Sequence, residues 1–142
     1  MPIHEVLICY RSNWQQQHQR FLQSSYGNSP YFEYYKEYLA ELFDKKFVRL
    51  VDFNEEALRL VLRFCQLEIL PKYTEAYQVA YPLDYLDLRN EAFNHFNQLA
   101  PNVAYEQIFG TSFQRNLCIL DAIFHLGPEV SMLLQSSSTV SK

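Results

Sequence analysis

Asp121 and His125 interrupt an otherwise apolar run, Asn116-Leu117-Cys118-Ile119-Leu120-Asp121-Ala122-Ile123-Phe124-His125-Leu126, which Gly127-Pro128-Glu129 closes. The run reads as a helix surrounded by protein, because almost every position in it is apolar. Asn116 suits the N-cap, and Gly127 followed by Pro128 suits the stop. Four residues apart, the carboxylate and the imidazole lie on one face and can touch. A carboxylate in such a place needs donors, since burying it unpaired is costly. Two chemistries fit. Asp121 is a general base or an orienter of His125, or it is an anchor that holds a neighbouring loop by hydrogen bonds.

Other residues offer chemistry in fewer words. Asp87-Leu88-Arg89 sets a guanidinium beside a carboxylate in a loop. Arg89 offers a bidentate grip on a substrate phosphate or carboxylate, or it neutralises Asp121 or Asp87, with Arg115 as the second candidate partner of Asp121. His18 follows Trp14 by one helical turn on an apolar face, and reads either as a satisfied core histidine or as a catalytic one. Tyr31, Tyr34 and Tyr38 form a row that can stack on sugars or bases, or pack as core and rim. Glycines stand only at 27, 110 and 127, so there is no Gly-rich phosphate loop. His-Glu-x-x-His, Cys-x-x-Cys and a nucleophile elbow are all missing. The histidines His4, His18, His95 and His125 are dispersed, so no metal site is expected and no cofactor can be named.

The elements that must position these groups follow from periodicity and caps. Ile3 to Tyr10 is the best strand candidate, apolar on both faces as in an interior strand. Ser12 or Asn13, with Gln15 or Gln16 three residues on, suits a capping box for a helix from Trp14 to about Ser25. Ser29-Pro30 opens a second helix to about Lys45, with Phe32, Tyr35, Leu39, Leu42 and Phe43 as its core stripe. Phe47 to Phe53 is a loop or a short strand. Asp52 or Asn54 caps a third helix whose Leu58, Val61, Leu62 and Cys65 face inward. Lys72 to Tyr77 reads as extended, Tyr81 to Asn90 as a loop, and Glu91 to Leu99 as weakly helical. After the central run, Glu129 to Gln135 adds a terminal helix. The class expected is α+β, predominantly helical, with about four to five helices and a few short strands.

At 142 residues the chain suits a single domain over 1–135, and the serine-rich stretch 136–142 reads as a disordered tail. A formal net charge of -4 argues against a broad nucleic-acid or anionic-membrane surface. No apolar segment is long enough to span a bilayer, and Met1 to Glu5 has no signal-peptide pattern. Cys9, Cys65 and Cys118, an odd count without a framework, read as reduced, buried thiols of a cytoplasmic protein.

With those residues in place, the chain resembles the WbqC-like family of bacterial proteins. The resemblance rests on Asn13-Trp14 with His18, Tyr26 and Pro30-Tyr31-Phe32-Glu33-Tyr34-Tyr35. It continues in Tyr73-Thr74-Glu75-Ala76-Tyr77 with Asp87-Leu88-Arg89-Asn90, and in Tyr105-Glu106-Gln107-Ile108-Phe109. Phe113 and the run from Asn116 to Phe124 with Gly127-Pro128-Glu129 is its most specific part. Members usually carry Ser where Cys118 stands and often Asn where His125 stands. They usually begin with a strand-rich segment, which is expected to be missing here, so the chain would be the remainder of a larger α/β-type fold.

The resemblance implies a role in O-antigen or other surface-polysaccharide biosynthesis, with aminoacyl (glycine) transfer to a sugar as the suggested step. An enzyme of that kind would gather Asp121 and His18 as catalytic residues, with Arg89, Asn116, Tyr105 and Gln107 binding a sugar-linked small molecule. The competing reading is a non-catalytic, shortened remnant that acts as a binding or interaction module. A bare edge on the Ile3 to Tyr10 strand would then favour a homodimer.

Overall fold

The computed structural model describes residues 2–74, 76–82, 85, 87, 89, 103–115 and 117–138, with side chains as far as 135. The expected helix from Glu91 to Leu99 and residues 139–142 of the expected tail lie outside these residues. What is described is predominantly helical.

Helix α1 spans Trp14–Tyr26 and carries no fully buried residue. Its amphipathic face lies on α2, Phe32–Asp44, whose Phe32, Leu39, Leu42 and Phe43 are buried as the apolar periodicity requires. The capping box expected before α1 does not form. Asn13 makes no side-chain cap bond. The Gln15 side chain instead crosses to α2, donating to the Phe43 carbonyl and, at 3.1 Å, to that of Lys45. Those carbonyls belong to the last turn of α2 and the residue that ends it, so a side chain from a neighbouring helix satisfies groups that a helix leaves open.

Helix α3, Leu50–Phe64, starts earlier than Asp52 or Asn54 would set it, with Arg49 as N-cap. Arg49 and Asp52 form a two-pronged pair at 2.9 Å across that first turn. Leu58, expected to face inward, is 45% exposed, whereas Phe64 and Cys65 are buried.

The segment from Ile3 to Tyr10 is not an interior strand. Ile3–Glu5 is a single 3-10 turn. Beyond it the backbone extends and makes one isolated antiparallel bridge, Leu7 to Arg49. Ile8 N–H donates to Val48 and Leu50 N–H to Val6 around that bridge. Val6, Ile8 and Tyr10 are half-buried, while Leu7 and Cys9 are exposed. Composition favoured a strand, but with one short partner segment only one side of it is covered. Among the described residues no longer run of bridges forms a strand, and Lys72 to Tyr77 pairs with nothing regular.

The core closes on α4, Ile119–Leu126. Ile123 and Phe124 have no exposed surface, and they pack with Phe32, Leu39, Phe64, Cys65 and Val130. Burying each such large side chain stabilises by about 1.5–3 kcal/mol. The Phe124 ring meets Tyr26 at 5.0 Å and Phe32 at 5.1 Å between centroids, which joins α1, α2 and α4. Gly127 ends α4 at φ 56 and ψ -129, so φ is positive as expected of a helix-ending glycine but the residue lies outside the left-handed helical well. A methyl group there would sit 2.5 Å from the Tyr31 ring, so glycine is required for space as well as for conformation. Tyr31 also donates its backbone N–H to the Phe124 carbonyl at 3.0 Å. A 3-10 turn, Gly127–Glu129, then leads into α5, Val130–Ser138.

Candidate functional site

Asp121 sits in the first turn of α4 with no solvent-exposed surface. The helix begins at Ile119 with Cys118 as N-cap, not at Asn116, which lies outside the described residues. The earlier start fails because Leu117 and Cys118 are exposed and outside the helix, with Cys118 extended at ψ 146.

Donors for the carboxylate come from the segment 103–115, an irregular strap laid over α4. Tyr105 Oη donates to Asp121 Oδ2 at 2.6 Å, and Gln107 Nε2 donates to the same oxygen at 2.8 Å. Gln107 is itself fixed from both ends of its amide. Its Nε2 also donates to the Gln114 carbonyl at 3.1 Å, and its Oε1 accepts the Gln114 N–H at 2.8 Å. That reciprocal pair closes the turn in which Gly110 takes φ 82. One glutamine side chain thus shapes the strap and ties it to the helix.

His125 supplies the second tie. Its Nε2 accepts the Ile108 N–H at 3.1 Å. A backbone N–H can only donate, so the ring proton must be on Nδ1, which donates to the Asp121 carbonyl at 2.7 Å. This neutral tautomer makes the 3.4 Å approach of Nδ1 to Asp121 Oδ1 a polar contact rather than an ion pair. Oδ1 is buried and accepts no hydrogen bond among the described residues.

The electrostatics match the geometry. Burial and the bonded Asp121 carboxylate hold the Tyr105 phenol well above its usual range, so it stays a donor. Tyr26, at the end of α1, is pushed up to about 12, first by burial and then by the negative charge of Asp121.

The other expected site residues lie elsewhere. His18 is exposed, bonded from Nδ1 to the Trp14 carbonyl at 2.9 Å, and its ring meets Trp14 and Phe43. It is neither the core histidine expected nor a neighbour of Asp121, because eight residues of α1, about 12 Å at 1.5 Å per residue, separate it from Tyr26. Arg89 finds the nearer of the acids considered for it. Its Nε donates to Asp87 Oδ1 at 2.8 Å and its Nη2 to Oδ2 at 2.5 Å, while Nη1 reaches the Gln78 carbonyl at 2.8 Å. Asp87 is held down at about 2 by that guanidinium. None of the described partners of Arg89 belongs to α4.

The structure therefore brings together Asp121, Tyr105 and Gln107, and leaves Arg89 and His18 apart from them. Ile108 and Tyr26, named above for the resemblance but not for the site, join the network, and so does Gln114, which was not named. The signal for Gln114 was faint: a second amide across a glycine turn from Gln107. Cys9 and Cys118 are exposed, and only Cys65 is buried as expected. Among the described residues no group of His, Cys, Asp and Glu is placed to hold a metal ion, and no helix is long and apolar enough to cross a membrane. Tyr105 lines two cavities, of about 160 and 200 Å³, and Asp121 lines neither, since Tyr105 and Gln107 stand over it.

A family model described as the WbqC-like protein family matches residues 1–84, more than half of the chain. No curated protein and no solved structure matches.

Proposed function

The chain belongs to the WbqC-like protein family, and on that premise we propose that it serves surface-polysaccharide (O-antigen) biosynthesis by holding a sugar-linked small molecule. In this reading it is a cytoplasmic binding component, without a nucleic-acid partner, and Asp121 is the anchor of its strap. The enclosure of Asp121 is the observation that supports this reading. A general base must come within hydrogen-bond reach of the proton it removes. A carboxylate with one oxygen taken by Tyr105 and Gln107 and no exposed surface has no such reach while the strap is in place.

A second reading keeps the aminoacyl (glycine) transfer. The buried Oδ1, with no donor among the described residues and His125 at 3.4 Å, favours it as an unspent acceptor. Asn116, Tyr105 and Gln107 would then bind the sugar once the strap lifted.

Calorimetric titration with a panel of nucleotide sugars, on the wild type and on Asp121→Asn, separates the two. The binding reading expects saturable binding that changes less than threefold in Asp121→Asn, together with a stability loss of about 1–3 kcal/mol. Binding or glycyl transfer that collapses in a variant still folded would establish the second reading. No binding by either protein would overturn the first.

A further inference from the structure

A cleft of about 450 Å³ lies in the loop after α3, with Thr74, Gln78, Tyr81, Pro82 and Tyr85 in its walls. Arg89 organises it. With Nε and Nη2 on Asp87 and Nη1 on the Gln78 carbonyl, the guanidinium is held at three points. Its Cζ lies over the Tyr77 ring, 5.1 Å from the centroid, and over the Tyr81 ring, 4.8 Å from the centroid. Tyr85 stands 5.7 Å from Tyr81, centroid to centroid, tilted by 37°.

Two consequences follow from this arrangement. The rings are set before any ligand arrives, which lowers the ordering cost of binding. The charge is also spent: Asp87 compensates Arg89, and among the described residues no lysine or further arginine lines the cleft. A phosphate or carboxylate therefore finds no free cation there.

What remains available is aromatic face and neutral polar groups. Tyr85 is 63% exposed although it is large and partly apolar. The Gln78 side-chain amide and the Thr74 hydroxyl make no hydrogen bond among the described residues. An amide presents one donor and one acceptor side by side, which matches two adjacent hydroxyls. An aromatic face beside such groups suits a ring that is apolar on one side and hydroxylated at its edge. We propose that this cleft binds a neutral hexopyranose, with its C–H face on Tyr85 and adjacent hydroxyls on Gln78 and Thr74. The inference deepens the sugar-linked reading above and rests on it only for its biological setting.

Amide chemical-shift titration of the full chain with methyl glucopyranoside, methyl galactopyranoside, N-acetylglucosamine, uridine and inorganic phosphate tests it. At least one hexose should bind saturably in the millimolar range and shift the amides of the residues around the cleft. Tyr85→Ala and Gln78→Ala should each weaken that binding tenfold or more. Both side chains are exposed, so the thermal midpoint should stay unchanged. Absence of saturable binding by every hexose, or binding indifferent to Tyr85→Ala, would overturn the proposal. So would uridine or phosphate shifting the same amides more tightly than any hexose. Nucleotide-sugar binding that perturbs only residues outside the loop would overturn the cleft and leave the broader function standing.

Discussion

At the scale of single residues, the one carboxylate fully enclosed among the described residues serves architecture. Asp121 accepts from Tyr105 and Gln107, and His125 is fixed as the Nδ1–H tautomer between the Asp121 carbonyl and the Ile108 N–H. An alkaline prediction follows from Tyr26. Its phenol is raised from 10.0 to about 12, so the fold favours the protonated form. That stability is fully present below pH 10 and is lost as pH rises through about 12. Urea midpoints from pH 8 to 12 should fall for the wild type and fall less for Tyr26→Phe; parallel curves would contradict the assignment. This network was partly legible in the sequence. An acid in an apolar helix demands donors, and Tyr105 and Gln107 stood among the residues named for the site. The partner of Arg89 was less legible: Arg89 was expected to approach the central helix as the leading partner of Asp121, but its guanidinium binds Asp87. Asp87 is two residues away and reaches the fork directly, whereas the strap already occupies Oδ2 of Asp121.

At the scale of elements, apolar periodicity located the helices well, and their N-termini poorly. Asn13 is the N-cap of α1 without a side-chain bond, and Arg49 rather than Asp52 caps α3. Both choices depend on tertiary neighbours, the open end of α2 in one case and the Leu7–Arg49 bridge in the other. Ile3 to Tyr10 failed as an interior strand for the same reason, since its only described partner is the short segment bridged at Arg49. The C-terminus of α4 was legible because Gly127 answers a local demand. Gly127→Ala would force a side chain to φ 56 and into the Tyr31 ring. It should cost about 1–3 kcal/mol in chemical denaturation, and Tyr31→Ala should recover part of that loss. A loss below 0.5 kcal/mol, roughly the size of an ordinary surface change, would contradict the packing. The backbone groups of Leu7 and Cys9 point away from the Val48 segment, and Leu7 is 67% exposed. Such an edge suits pairing with a second copy. Light scattering should show mass rising towards a dimer with concentration, and Leu7→Pro should abolish the rise. A monodisperse monomer at every concentration would remove the edge as an interface.

At the scale of the whole molecule, α1, α2, α3 and α5 enclose α4, and the strap 103–115 covers the face that carries Asp121 and His125. An apolar core alone would not hold an irregular strap in one register, because its backbone groups need partners. The buried polar side chains supply them. Asp121 and His125 clamp this strap to the core. Native-state amide hydrogen exchange at Ile108 and Gln114 is the direct test, since His125 bonds the Ile108 N–H and Gln107, itself held by Asp121, bonds the Gln114 N–H. The clamp predicts slow exchange at both amides in the wild type, and exchange at least tenfold faster in Asp121→Ala, with a smaller change at the amides of α2. Exchange at the rate of an unprotected peptide in the wild type, or protection unaltered by Asp121→Ala, would contradict it.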